Sequence, residues 1–310
     1  MKPWFWIGFL TALGGWTIGL AADSQSPGST KLALPAQGAY TGAYIDFGET
    51  EDKVTLEAIR GFERLVGKPQ AIVAFSSYWG RRDFPREALK IIDAYGAVPL
   101  VYWSPWDRPY SDKSSGPYGL DRILAGENDA YIDTWAKGAK AFGKPLLVAW
   151  GIEMNGTWFP WSGYFNGAGT QIQDAPKGPF QGPELYKKAY RYVVDRARAQ
   201  GADNIQWVFH ANNSCNPDEP WNQIAMYYPG PGYVDWIGLS AYGQQYPQQG
   251  WLSYDQTFPQ GYREIVALAP DGQYWPGLTR LLDKPVITCT GGTSRAESVL
   301  SCLLSLPQKA

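Results

Sequence analysis

The chain has 310 residues, with 27 Lys and Arg against 29 Asp and Glu, a single His, and a net charge of −2. That length buries a large core and suits one large α/β domain better than two small ones, and the near-neutral charge argues against nucleic acid as a partner. The 15 Trp and 20 Tyr exceed what a core requires, and such rings line sites for stacked, hydrogen-bonding ligands.

The N-terminus carries Lys2, then an almost uncharged run to Ala22, with Gly19, Leu20 and Ala21 supplying small residues before a cleavage point. Residues 1–22 are expected to be a secretory signal peptide, with an uncleaved membrane anchor as the alternative. Residues 23–37, rich in Ser, Pro and Gly, are expected to form a linker, and 38–310 a single barrel domain. Downstream of the signal no stretch reaches the ~20 apolar residues a membrane helix needs, so a secreted or periplasmic monomer is expected. Cys215, Cys289 and Cys302 have no C-x-x-C spacing, which makes a zinc site improbable. A Cys215–Cys289 bridge would need their two loops to meet, and no metal or other cofactor is expected.

Strand and helix patterns then alternate. Ala43–Phe47 is predicted as a strand ending at Asp46, and a helix from about Asp52 to Val66 carries Leu56, Ile59, Phe62 and Val66 at helical spacing before Gly67. Ala71–Trp79 is a second strand. Pro85 opens a helix with Leu89, Ile92 and Tyr95 on one face, closed by Gly96. Val98–Trp103 is a third strand, running into Ser104, Pro105, Trp106 and Asp107. Asn128 is a candidate N-cap for a helix to Phe142, with Ile132 and Trp135 along its inner side. Leu146 to Ala149 is a continuous apolar run bounded by Gly-Lys-Pro, the pattern of a strand buried on both faces. Leu185–Ala199 is a basic amphipathic helix with a solvated outer face. Ile205–His210, Val234–Tyr242 and Lys284–Thr290 complete seven strands.

Repeated βα units imply a parallel sheet, and so many of them favour a closed (β/α)8 TIM barrel, with the open doubly wound sheet as runner-up. No Gly-rich nucleotide fingerprint follows the first strand. A barrel places its site at the C-terminal strand ends, where Asp46, Trp79, Trp103, Glu153, His210 and Tyr242 fall. Glu153 follows the fourth strand and precedes Asn155, Trp158, Phe159 and Trp161. A carboxyl among indole rings is expected to have a raised pKa beside flat surfaces suited to sugars. Trp79, Trp103 and Trp106 are further stacking candidates, and Asp46 is a candidate ligand for sugar hydroxyls. His210 either contacts substrate or is a satisfied histidine at a strand end. Asp235, near the start of its strand, reads as structural.

The runs GIEMNGTWFPW at 151–161, WVFHANN at 207–213, YVDWIGLSAY at 233–242 and DKPVI at 283–287 resemble glycoside hydrolase family 26. These are secreted (β/α)8 enzymes best known as β-mannanases, with β-1,3-xylanases and mixed-linkage β-glucanases among them. The resemblance covers roughly Gly42 to Pro285. It implies a retaining mechanism on β-linked polysaccharide, with Glu153 as acid/base, Tyr242 hydrogen-bonding the nucleophile, and Trp158 and Trp161 lining sugar subsites. Ile152 departs from the histidine that commonly precedes the acid/base. More seriously, Thr290 stands where the family carries its nucleophilic glutamate, and after Thr293 only a short tail follows. Arg295 to Leu304 is expected to form a helix, leaving the barrel without its eighth βα unit and with unpaired edges on its first and seventh strands. Three expectations follow: a hydrolase-like chain ending in a foreign tail; a non-catalytic carbohydrate-binding pseudoenzyme; or an enzyme whose base is another carboxylate, Asp46, Asp107 or Glu297.

Overall fold

The computed structural model describes residues 30–33, 40–110, 116–172 and 178–244, positions 248, 250, 256 and 268, and segments 259–266, 286–294 and 297–305. The expected signal peptide and most of the expected linker lie outside the described residues. Eight strands close into a barrel in chain order: β1 (Thr41–Tyr44), β2 (Ile72–Tyr78), β3 (Val98–Ser104), β4 (Leu146–Trp150), β5 (Ile205–Asn212), β6 (Trp236–Gln244), β7 (Val286–Ser294) and β8 (Glu297–Ser305). Neighbours from β1 to β7 are parallel.

Helices α1 (Leu56–Val66), α2 (Arg86–Tyr95), α3 (Leu120–Leu124), α4 (Asp129–Phe142), α5 (Gln181–Ala199), α6 (Ile224–Tyr227) and α7 (Pro259–Val266) connect the strands. Their ends follow local chemistry. Thr55 Oγ1 accepts from the Ala58 amide to start α1, and Gly67, Gly96 and Gly143 end α1, α2 and α4 in the left-handed conformation. On α1 the expected apolar face is narrower than its sequence pattern, since Ile59 and Phe62 are buried while Leu56 and Val66 are exposed. Asn128 does not cap α4 with its side chain; its Nδ2 donates instead to the Pro117 carbonyl. The basic face of α5 is not simply solvated. Arg196 spans to Asp129 and Asp133 of α4 at 2.5 and 2.7 Å, and Arg191 Nε donates to the Pro229 carbonyl. Among the described residues no helix is long and apolar enough to cross a membrane.

Strand alternation sorts the core into two layers. Ile72, Ala74, Val98, Leu100, Tyr102, Leu147, Ala149, Val208 and Trp236 fill the barrel interior. Val73, Phe75, Val101, Trp103, Val148, Trp150, Trp207 and Phe209 face outward and join the larger cluster shared with the helices. The interior layer includes Leu32, whose amide donates to Gln206 Oε1 at 2.6 Å and whose carbonyl accepts from Gln206 Nε2. Part of the expected linker is thus packed structure, because an apolar side chain with both backbone groups paired at the start of β5 is cheaper to bury than to solvate. Asp235 has the structural role its position suggested, accepting from the Trp207 amide at 2.8 Å.

The end of the chain departs from the repeat. Segment 297–305 is a strand, not the expected helix, and it runs antiparallel to both neighbours, pairing Ser305–Glu297 with β7 and Leu303–Leu300 with β1. Among the described residues β8 takes the place of a parallel eighth strand, and the edges of β1 and β7 are paired rather than open. Two parallel edges present unpaired N–H and C=O groups, and an extended segment that satisfies both is favoured over a helix that satisfies neither.

Candidate active site

Glu153 lies three residues beyond β4 with φ +52, a left-handed conformation uncommon for a side chain that has a Cβ. Its amide donates to the His210 carbonyl at 2.7 Å, and its carbonyl accepts from the Gly156 amide. The residue is 6% exposed. Trp158 Nε1 donates to Oε2 at 2.7 Å, and the Tyr242 hydroxyl donates to Oε1 at a longer 3.4 Å. Burial raises the carboxyl pKa, while the side chains of Ser240, Trp158, Asn212 and Tyr242 oppose the rise by hydrogen-bonding its charged form. Desolvation is the larger effect, so Glu153 holds its proton to higher pH than an ordinary glutamate.

Ser240 and Asn212 belong to this cluster although neither stood out as a candidate. The signal was present: Ser240 is two residues before Tyr242 on β6, hence on the same strand face, and Asn212 ends β5.

Several expected ligand-binding side chains turn out to hold the site instead. His210 is 1% exposed, lies 2.8 Å through Nε2 from Ser240 Oγ, and meets the Tyr102 ring edge-on at 5.6 Å. With Ser240 donating to Glu153, Nε2–H donates to Ser240, and Nδ1 is left without a protein partner. Burial lowers the imidazole pKa to about 3, so the ring is neutral. Its fit against β6 requires Gly238, where a Cβ would come 2.6 Å from the imidazole. Asn155 is fully buried: Nδ2 donates to the Asn212 carbonyl, and Oδ1 accepts from the Asn212 amide, both at 2.9 Å. It locks the Glu153 loop to the end of β5.

The expected stacking rings divide by strand parity. Trp103 points out of the barrel, stacked on Trp135 of α4 at 4.1 Å, and Tyr102 is the β3 ring that faces inward. Trp79 has no exposed surface and packs among Trp103, Tyr118, Tyr131 and Trp150. Neither offers a face to a ligand. Trp161 is also buried, stacked on Phe159 at 4.6 Å with Nε1 donating to the Ile152 carbonyl. Trp106 is buried edge-on against Phe159 and Trp161. Trp158, Phe159 and Tyr242 are rings beside Glu153 that keep partial exposure.

Asp46 is exposed, and its Oδ1 accepts from the Gly48 amide in a local turn. Asp107 is also exposed. Thr290 is opposite Ala241 on β6, adjacent in register to the Tyr242–Gly291 pair, and opposite Ser301 on β8. The side chains of Thr290, Cys289 and Glu297 lie outside the described residues. Cys215 is free and buried, its thiol pushed up to about 11 by burial. Among the described residues no group of His, Cys, Asp and Glu is arranged to hold a metal ion.

A barrel of mostly parallel strands with a buried, donor-ringed carboxyl just beyond β4 defines a (β/α)-barrel protein with a candidate site at its C-terminal strand ends. The profile of glycosyl hydrolase family 26 matches residues 117–276, about half of the sequence, and the chain belongs to this family. It is 31% identical over 218 residues, 68% of its length, to Endoglucanase H of Acetivibrio thermocellus, covering 21% of that protein. The chain spans about a fifth of the length of the curated glycoside hydrolases it matches. The fold is similar to the Bacillus subtilis mannanase BCman, with a TM-score of 0.54 and 17% identity over 84% of this chain and 73% of that one. A 44-residue stretch, 14% of the chain, is 54% identical to 2-C-methyl-D-erythritol 4-phosphate cytidylyltransferase of Xanthomonas oryzae, covering 16% of that protein.

Proposed function

We propose that this chain recognises a β-linked polysaccharide, with β-mannan first and β-glucan or xylan next, and carries the acid/base half of a retaining glycosidase site. The observation that supports this reading is Glu153: a carboxyl whose pKa burial raises, ringed by donors that stabilise the anion it leaves behind. The protonated carboxyl gives its proton to the departing glycosidic oxygen. Trp158, Tyr242, Ser240 and Asn212 then hold the carboxylate.

Retention needs a second carboxylate about 5 to 5.5 Å away to attack the anomeric carbon. Thr290 occupies that place in the sequence pattern, and a neutral hydroxyl without a base is a poor nucleophile. The chain is therefore expected to bind glycan and to turn it over far more slowly than a complete site. We assign the segment shared with the cytidylyltransferase to the C-terminal part, because the departures from the family pattern fall there. It is a foreign tail joined to a hydrolase-like barrel. Residues 1–22 direct export of a monomer.

Soluble β-mannan, mixed-linkage β-glucan and xylan tested for binding and for release of reducing ends check this directly. Binding with little release supports the reading; rapid release abolished in Glu153→Gln would instead favour a working enzyme with another base. Resequencing past the codon for Lys284 should recover a glutamate and a Trp-bearing strand, and an unchanged read leaves the pseudoenzyme as the better description.

A further inference from the structure

A second carboxylate, Glu51, sits on the loop after β1, where the sequence pattern gave no signal. Its carboxylate accepts from Ser76 Oγ at 2.9 Å through Oε2 and from the Tyr110 hydroxyl at 3.0 Å through Oε1, and its carbonyl accepts from the Ser76 amide. Ser76 in turn meets the Tyr44 hydroxyl at 3.0 Å. The Tyr44 hydroxyl also hydrogen-bonds Glu51; a carboxylate has about four acceptor positions, so three donors still leave it an open lone pair, and Glu51 is only partly buried.

Tyr110 is 65% exposed, an unusual state for a ring anchored through its hydroxyl. Desolvation of the hydroxyl end first, and then the nearby Glu51 and Glu153 carboxylates, hold the phenol well above its ordinary range. From Tyr110 a continuous series of rings leads back to the acid/base: Trp106 at 5.3 Å, Phe159 at 5.4 Å from Trp106, and Trp158 at 6.5 Å from Phe159, whose indole donates to Glu153.

The backbone supplies an independent observation. Among the described residues five non-glycine residues have positive φ, and three of them are Glu51 at +57, Tyr110 at +60 and Glu153 at +52. Holding a side chain in that region costs on the order of 1 kcal/mol or more, and such costs concentrate where a surface is shaped for a ligand.

We propose that Glu51 and Tyr110 form a second sugar subsite on the β1–β3 side of the mouth, binding another pyranose of the same β-linked chain that reaches Glu153. The sugar packs on the Tyr110 ring face, and its hydroxyls donate to Glu51. This rests on the reading of the mouth as a glycan cleft.

Calorimetric titration of the full chain with β-1,4-linked mannohexaose, cellohexaose and the matching disaccharides tests it. Tyr110→Ala and Glu51→Gln should each weaken the tighter-binding hexasaccharide by about tenfold, a change of ~1.4 kcal/mol, and leave the corresponding disaccharide unchanged. Tyr110→Phe, which keeps the ring and loses its anchor, should fall between. Tyr164→Ala removes another exposed ring, 47% exposed, and should have no effect. Circular-dichroism melts confirm that each variant folds. If the native chain binds neither hexasaccharide, the glycan-cleft reading itself falls. If it binds and the Tyr110 and Glu51 variants bind equally well, the subsite alone is overturned.

Discussion

The six-strand wall from β1 to β6 and the closing hairpin of β7 and β8 complete the same barrel with opposite strand pairing, parallel through the wall and antiparallel on both sides of β8. In the wall, each strand is paired in parallel and its outward residues are covered by helices, as where Trp103 of β3 stacks on Trp135 of α4. In the hairpin, β8 pairs antiparallel with both neighbours, with Ser294 of β7 opposite Glu297 of β8. The wall is held by side chains buried between two layers. The hairpin is described by its backbone ladders. The donors described around Glu153 come from the loop after β4 and from β5 and β6, all in the wall.

The largest expected effect tests the wall. Trp103→Ala removes a fully buried indole and should cost about 3–5 kcal/mol in urea unfolding; a loss below about 1 kcal/mol would mean that the outer aromatic layer does not carry the wall. Native-state hydrogen exchange separates the two regions next. Amides of β7 and β8 should open at free energies lower than those of β3 and β4 by about 2 kcal/mol or more, and equal protection would show one cooperative unit.

Glu153→Gln places the site on the same scale. Its folded pKa lies above the ordinary value, so its contribution to stability is full below about pH 4.5 and is lost as pH rises through the folded value. The Gln variant should therefore melt higher than the native chain at pH 8, with the difference closing toward pH 4. His210 has the opposite sign. Its folded pKa of about 3 lies below the ordinary 6.5, so stability is full above pH 6.5 and falls between 6.5 and 3; His210→Gln should flatten that limb in pH-dependent melts. The smallest effect is expected at the α4–α5 staple, where Arg196→Ala should cost about 1 kcal/mol and less in high salt.

The βα alternation, the helix stops at Gly67, Gly96 and Gly143, and the place of Glu153 after β4 were legible because each rests on local pattern: apolar period, cap chemistry and strand order. Side-chain direction at strand ends was not. One step along β3 separates Tyr102, which faces the barrel interior, from Trp103, which faces α4, and both rings look alike as candidates in a linear reading. His210 and Asn155 were likewise recognised as site residues, while their actual work, orienting Ser240 and locking two loops together, depends on neighbours 30 and 57 residues away.

The sequence by itself determined the family, the barrel class and the acid/base candidate, and it puts a threonine at position 290, because these are carried by residue identity at fixed spacing. Only the tertiary structure decided that Leu32 plugs the barrel, that segment 297–305 becomes a strand, and that Glu51 and Tyr110 join the mouth near Glu153. Each of those outcomes is set by which unpaired backbone edge, open cavity or hydroxyl donor the fold brings within reach, and that information exists only once distant segments meet.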